Sequence, residues 1–344
     1  SGGDPKDIPD LTYENFLAFH QKYYHPSNSY IYLYGNMDMA ERLDYLDREY
    51  LAHYEEKKVD SEVKLQEPFA EIKHVAVEYP IGSDENEAEN AYLTYNATVG
   101  DTLDRELYIA FQVLDYALCT APGAPLKRAL LEKGIGTDIY SIYENGIKQP
   151  YFSIVSKNAD EKQEKEFVET VEEVLGKIVK DGFDKKALYA ALSHYEFKYR
   201  EADFGSTPKG LMYGLQMLDS WLYDDAKPFI HVEANATFAA LKKKVEEGYF
   251  EELVKKYLIE NTQKSILLLL PRKGLTEKSD KELEEKLAAY KAGLTKEEIA
   301  KIIADSKALK EYQDSEDAEE DLQKIPLLTR EDMKREATKT VNEL

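Results

Sequence analysis

Residues 101–158 read DTLDRELYIAFQVLDYALCTAPGAPLKRALLEKGIGTDIYSIYENGIKQPYFSIVSKN, and their pattern decides the fold class. The turn Val99-Gly100-Asp101-Thr102 offers side chains that cap a helix N-terminus. Leu103, Leu107, residues 109–111, Leu114 and Leu118 follow at helical spacing and predict a largely buried helix. Pro122, Gly123 and Pro125 break it, and a second short helix over 126–133 stops at Gly134. Two extended runs come next, 137–143 and 150–157. Glu144-Asn145-Gly146 joins them; Asn-Gly between such runs is a hairpin signal, with Ile147-Lys148-Gln149 available to lengthen the loop. Buried helix, Gly/Pro elbow and strand pair define an α+β class: a two-layer mixed or antiparallel sheet with helices packed on it.

The flanks fit that core. A helix starting near Leu11-Thr12-Tyr13-Glu14 ends at Tyr24-His25-Pro26, because the residue before proline is pushed out of helical geometry. Residues 29–34, a run of β-branched and aromatic residues with three tyrosines, predict a short strand closed by Gly35-Asn36. Residues 38–56 predict a helix whose apolar stripe is Leu43, Leu46, Tyr50 and Tyr54. A polar stretch, 57–70, marks a boundary. Strands over 74–81 and 91–98 flank the acidic turn 83–90. After the central stretch come helices near 161–181, 184–203, 207–224, 235–246 and 249–260, then a last strand over 264–270. From Gly274 onward Glu, Lys and Asp dominate, with Leu283, Leu287, Tyr290, Ile302, Ile303 and Leu309 at helical spacing. This predicts two long exposed helices folded back on each other as a helical hairpin.

An internal echo organises the domains. Residues 16–34 (helix, Lys22-Tyr23, Asn28-Ser29, Ile-Tyr-Leu-Tyr) resemble residues 250–270 (helix, Lys256-Tyr257, Asn261-Thr262, Ile-Leu-Leu-Leu). If both close one repeated domain, 62–271 is a complete copy, 1–60 is the closing part of an earlier one, and 272–344 is a helical linker.

Composition excludes several functions. A formal net charge of −22 argues against binding nucleic acid through its phosphates and favours basic partners. The single cysteine, Cys119, rules out a disulfide framework or thiolate metal cluster within the chain. No apolar run approaches membrane-spanning length. The six histidines (20, 25, 53, 74, 194, 231) include no pair at the spacing that puts two imidazoles on one helix face. No Gly-x-Ser-x-Gly elbow and no phosphate-cradling loop occurs; Gly134-Ile135-Gly136 ends a helix. Tyrosine (26) outnumbers phenylalanine (12) and tryptophan (1), which suits half-buried sheet positions and surfaces that hold varied peptide side chains.

The run Ser1-Gly2-Gly3-Asp4-Pro5, Ile8-Pro9, Leu11-Thr12-Tyr13-Glu14, Phe19-His20, Tyr23-Tyr24-His25-Pro26-Ser27-Asn28 resembles the pitrilysin/insulinase metallopeptidases, in the presequence protease and falcilysin branch. Gly123-Ala124-Pro125-Leu126 through Gly134-Ile135-Gly136 resembles a second block, and the acidic arm is similar to the helical hairpin joining the two halves of such enzymes. The resemblance implies four related α+β domains that close over an unfolded peptide, in bacterial cytoplasm or an organelle matrix. It implies zinc on a His-x-x-Glu-His helix in the first domain, ahead of Ser1. The comparable helix here reads Gln112-Val113-Leu114-Asp115-Tyr116 and lacks both imidazoles, so no catalytic or metal residue and no cofactor is expected in this chain, with zinc expected in the parent protein. The expected partners are extended peptides and the remaining domains. The element the resemblance carries over is a strand edge that adds substrate as a further strand. It is expected at Gly146, Ile147, Gln149 and Pro150, with Lys148 between them, and along strand 151–156, including Tyr151, Phe152, Ser153 and Ile154. The alternative is a non-catalytic scaffold subunit of the same fold.

Overall fold

The computed structural model describes residues 6–333, 335 and 336. The chain forms two units, Ser1–Leu275 and Thr276–Leu344. The first contains, in order, helices α1 (Tyr13–Tyr23) and α2 (Met39–Glu49), strands β1 (Lys73–Ile81) and β2 (Ala91–Thr98), helices α3 (Arg105–Asp115) and α4 (Pro125–Glu132), and strands β3 (Asp138–Glu144) and β4 (Tyr151–Ala159). Helices α5 (Glu164–Asp181), α6 (Lys185–Glu201), α7 (Lys209–Trp221), α8 (Asn235–Lys244) and α9 (Tyr249–Leu253) then lead to β5 (Lys264–Lys273).

The five strands form one sheet in the order β1-β5-β2-β4-β3. β5 runs parallel to β1 and antiparallel to β2, so the last strand separates two that are neighbours in sequence. Alternation along the strands sends Leu93, Tyr95, Ala97, Phe152, Ile154 and Ile266 into the core. Helix α3 completes it. The Asp104 side chain caps α3 by accepting from the Glu106 and Leu107 amides. Seven of its eleven residues are buried, so the periodicity that looked like a core helix is one. On the opposite sheet face the middle is polar: Ser153 Oγ donates to Asn96 Oδ1 (2.6 Å) and Asn96 Nδ2 to Thr94 Oγ1 (2.8 Å).

The start of β5 is anchored by a buried charge. Lys264 is 2% exposed, and its ammonium donates to Tyr95 Oη (2.8 Å), Leu258 O (3.1 Å) and Ile259 O (2.8 Å). Three donors meet three acceptors, and two of those acceptors are carbonyls at the end of the helical turns over 254–259 that follow α9. Burial lowers the lysine pKa from its ordinary value.

Residues 29–34 differ from expectation: they are extended but join no sheet. Their partner is α7. The Tyr34 ring occupies the space a Gly210 side chain would need, and Tyr32 lies 2.8 Å from where a Cβ on Gly214 would sit. Two glycines four apart thus flatten one face of α7 for two tyrosine rings. Tyr30 packs on Trp221 at 4.6 Å between ring centroids and donates to Asp225 Oδ1 (2.7 Å). Around this seam, Phe16, Phe19, Leu43 and other large apolar side chains of residues 8–54 remain exposed. The helix expected over 38–56 is shorter, ending at Glu49 before a tight turn at Leu51–His53.

In the second unit, α10 (Leu275–Gly293) and α11 (Lys296–Gln313) form a hairpin-like pair joined through Leu294-Thr295, and the short α12 (Glu319–Leu322) follows. Thr295 and Glu298 make a capping box at the start of α11. The side chains of both long helices are almost all exposed; they are laced by four i,i+4 Lys–acid pairs, such as Lys278–Glu282 and Lys301–Asp305. Lysine leads in each pair, the weaker order, so each contributes only about 0.3 kcal/mol.

The Gly210/Gly214 seam makes a direct prediction. Replacing both glycines with valine should lift residues 30–34 off α7. Emission from Trp221, the sole tryptophan, should then shift to the red, and cleavage by added protease should concentrate within 29–60. Unchanged Trp221 emission would show that the rings do not need the glycines.

Candidate functional site

The sheet order decides which strand offers an edge. β4 is paired on both sides, with β2 through Ser153↔Asn96 and with β3 through Ser153↔Ile142. The expectation that 151–156 presents an edge is therefore corrected. Phe152 and Ile154 are fully buried on the helix side, Ser153 is bonded to Asn96, and Tyr151 alone of the four retains substantial exposure. Of the two hairpin strands it is β3 that has a free side; β1, at the opposite end of the sheet, is the other edge strand. On its outer side β3 pairs with no strand among the described residues. Ile142 on it is exposed while Ile139 points into the core.

The loop from β3 to β4 is held rigidly. Gly146 N donates to Glu144 Oε1 (3.2 Å), Thr102 N to Lys148 O (3.1 Å), and Val99 N to the carbonyl of the buried Pro150 (2.7 Å). The Thr102 hydroxyl, itself inaccessible, is shared between Asn145 O and Asp219 O, both at 3.0 Å. The loop already grips a stretch of extended chain. The Gln149 side chain accepts from Gln66 N (2.9 Å) and donates to Gln66 O (3.3 Å), reading a backbone amide as a neighbouring strand would. Lys148 Nζ donates to Val63 O (2.6 Å). Ile147, 40% exposed, lines a shallow cavity with Val63 and Leu65. Gln149 and Lys148 thus hold residues 63–66 of the chain itself, a contact with no local signal because its partners lie 83 and 85 positions apart.

The zinc implied by the resemblance finds no fitting ligands here. On α3, the Gln112 amide donates to Tyr108 O (3.1 Å) and to Tyr199 Oη (3.3 Å). Asp115 is raised above its ordinary pKa by burial. Its Oδ1, like the nearby Ser141 Oγ, is buried without a hydrogen-bond partner among the described residues. Burial pushes the Cys119 thiol up to about 12, so it is a core residue rather than a nucleophile. Among the described residues no group of three or more His, Cys, Asp or Glu side chains is placed to hold a metal ion.

Beside α3 lies a second polar cluster. Tyr108 Oη donates to Asp219 Oδ2 (2.6 Å), and burial raises the Asp219 carboxyl above its ordinary pKa. His231 is 1% exposed and stacks on Tyr108 at 3.6 Å between centroids, with the Thr102 backbone as the polar group that favours its charged form. Burial lowers its pKa to about 4. Sequence reading missed this cluster because His231 and Asp219 reach Tyr108 only through tertiary packing.

A mixed sheet backed by helices on one face, with no metal-holding cluster among the described residues, defines an α+β domain. The sequence pattern described as Peptidase M16 inactive domain matches residues 10–195, and the pattern for the region associated with subgroup C of the same peptidases matches 269–344. The chain belongs to the M16 peptidase family, the pitrilysin/insulinase group. It is 43% identical to Protein HypA of Clostridium perfringens over its whole length, spanning 35% of that relative. It is 34% identical to Presequence protease 1, chloroplastic/mitochondrial, of Arabidopsis thaliana over 98% of this chain and 32% of that protein. The chain thus spans about a third of the length of these relatives. A protease structure from Helicobacter pylori superposes with a TM-score of 0.59 at 14% identity, covering 78% of this chain and 61% of that one, which speaks to the fold alone. Among the described residues no helix is long and apolar enough to cross a membrane.

The buried imidazole sets a pH dependence. Its folded pKa, about 4, lies below its ordinary 6.5, so on acidification the unfolded chain takes up a proton first. Stability from this group is full above pH 6.5 and is lost down to about pH 4. The raised carboxyls of Asp115 and Asp219 act in the opposite sense, so the comparison must be with a variant. His231→Phe keeps the stack on Tyr108. Urea unfolding of the variant between pH 7 and pH 5 should lose about 2 kcal/mol less than the parent. Equal losses would show that His231 is accessible to protons in the folded state.

Proposed function

We propose that this chain is the non-catalytic part of a larger M16 peptidase, in which it forms chamber wall and holds extended peptide along the edge of β3. Residues 1–60 close a preceding homologous domain, 62–271 form the second domain, and 272–344 tether the halves. The observation that carries the reading is the unpaired outer edge of β3 at the end of a rigid five-stranded sheet. Backbone donors and acceptors on such an edge bind an extended chain whatever its sequence, as degradation of unstructured peptides requires. Support for a larger whole comes from the one-third coverage of the relatives and from the exposed apolar side chains around α1 and α2. Chemistry belongs to other domains, since a zinc hydrolase needs its ligands and an activated water. The parent acts on peptides in bacterial cytoplasm or an organelle matrix.

The edge is tested with two adjacent prolines. N–H directions alternate along a strand, so of Ser141→Pro and Ile142→Pro one removes an outward donor and the other a bond to β4. One variant should stay folded by circular dichroism and lose binding of a fluorescent unstructured peptide measured by anisotropy; the other should be destabilised. Undiminished peptide binding by both variants would remove β3 as the holding edge.

A further inference from the structure

The stretch held by loop 145–150 is bound in a way that any extended chain could copy. Three hydrogen bonds join residues 63–66 to Lys148 and Gln149, and on the stretch itself all three use backbone atoms, Val63 O, Gln66 N and Gln66 O. Gln263 Nε2 reaches Gln66 O as well (3.4 Å). A charge contact, Glu62 with Lys148 at 4.0 Å, leaves the carboxylate largely in solvent and contributes little. Residues 60–68 are all exposed and join no helix or strand. The loop beneath is locked by the buried Thr102 hydroxyl and by Val99, so of the two partners the stretch is the one that can leave. Its apolar side chains fit loosely. Val63 and Leu65 stand two apart and share a side of the extended chain. Both line the shallow cavity with Ile147 and Tyr223, yet they stay 54% and 48% exposed and about 420 Å3 is open.

We infer that Ile147, Lys148, Gln149 and Tyr223 form a peptide-holding site in which residues 63–66 are the resident occupant, displaced by an extended peptide carrying large apolar side chains two residues apart. The site rests on the reading that the chain holds extended peptide, and it adds a side-chain preference and a built-in competitor that the β3 edge lacks. An incoming peptide offers the same carbonyls and amide to Lys148 and Gln149, so those hydrogen bonds are exchanged rather than lost. Larger side chains in the cavity supply the difference. The resident stretch is tethered at both ends, by Ser61 to Asn28 and by Thr262 to the Phe69 carbonyl. It therefore competes as an intramolecular ligand, and weakly binding peptides are kept out.

The test uses two fluorescent peptides that copy residues 61–69, one with phenylalanine and one with alanine at both the Val63 and Leu65 positions, binding to the full 344-residue chain. The phenylalanine peptide should bind about tenfold more tightly, the scale of partial burial of two aromatic side chains. Gln66→Pro removes the amide hydrogen given to Gln149, at an exposed position outside every helix and strand. It should loosen the resident stretch and tighten binding of the phenylalanine peptide about fivefold further, the scale of one net hydrogen bond. Gln149→Leu should erase the preference. Amides 63–66 should exchange faster when that peptide saturates the parent chain; slower exchange there would mean that the peptide lies over the stretch instead of replacing it, and would overturn the proposal. Equal binding of the two peptides, or an affinity that Gln66→Pro leaves unchanged, would also overturn it and leave the β3 edge, which reads backbone alone, standing. Binding of neither peptide would overturn both.

Discussion

Everything in the sheet depends on β5 entering between β1 and β2. β1 has no other sheet partner, so without the parallel register Lys73↔Ser265 to Ile81↔Lys273 it would leave the sheet. The insertion begins at Lys264, whose buried ammonium must find acceptors on Tyr95 and on the carbonyls of Leu258 and Ile259. A slip of one residue would drive that charge to the other sheet face and bring Ser265 inward, leaving those carbonyls without their donor. A charged side chain here fixes register, an expensive but specific device. With β5 in place, β2 and β4 become interior strands, and β1 and β3 are left at the two ends of the sheet.

That order explains how the parts relate to function. The α3 helix is buried nearly all round, as a scaffold helix should be, and its polar positions are committed to internal contacts: Gln112 to Tyr108 and Tyr199, Asp115 to a buried environment. The loop 145–150, fixed by Thr102 and by Val99, keeps the end of β3 in place and holds residues 63–66. Free edges are usually guarded against self-association. This one is unguarded by a strand, which fits an edge meant to be filled.

Much of the fold was legible because its signals are local. The helical spacing of Leu107, Phe111 and Leu114, the Asn145-Gly146 turn and the Gly/Pro elbow at 122–125 each specify geometry within a few residues. The helical arm was readable from charge pattern in the same way. Topology was not legible. Which hairpin strand ends the sheet depends on pairs such as Thr94 with Leu267, 173 positions apart, and no local signal encodes it. Hence the hairpin edge expected on 151–156 falls instead to β3. Residues 29–34 fail for a related reason: strand propensity was real, but the available partner is the glycine face of α7. The cluster of Tyr108, Asp219 and His231 had no sequence signature at all, being assembled from α3, α7 and the turn before α8.

The most direct measurement is residue-resolved amide hydrogen exchange of the chain, alone and saturated with an unstructured peptide. The account predicts that β4 amides are slow to exchange in both states. In β3, alternate amides should exchange freely in the chain alone and become protected when peptide is bound. Protection of β3 in the absence of peptide, or peptide-induced protection confined to other segments, would contradict it.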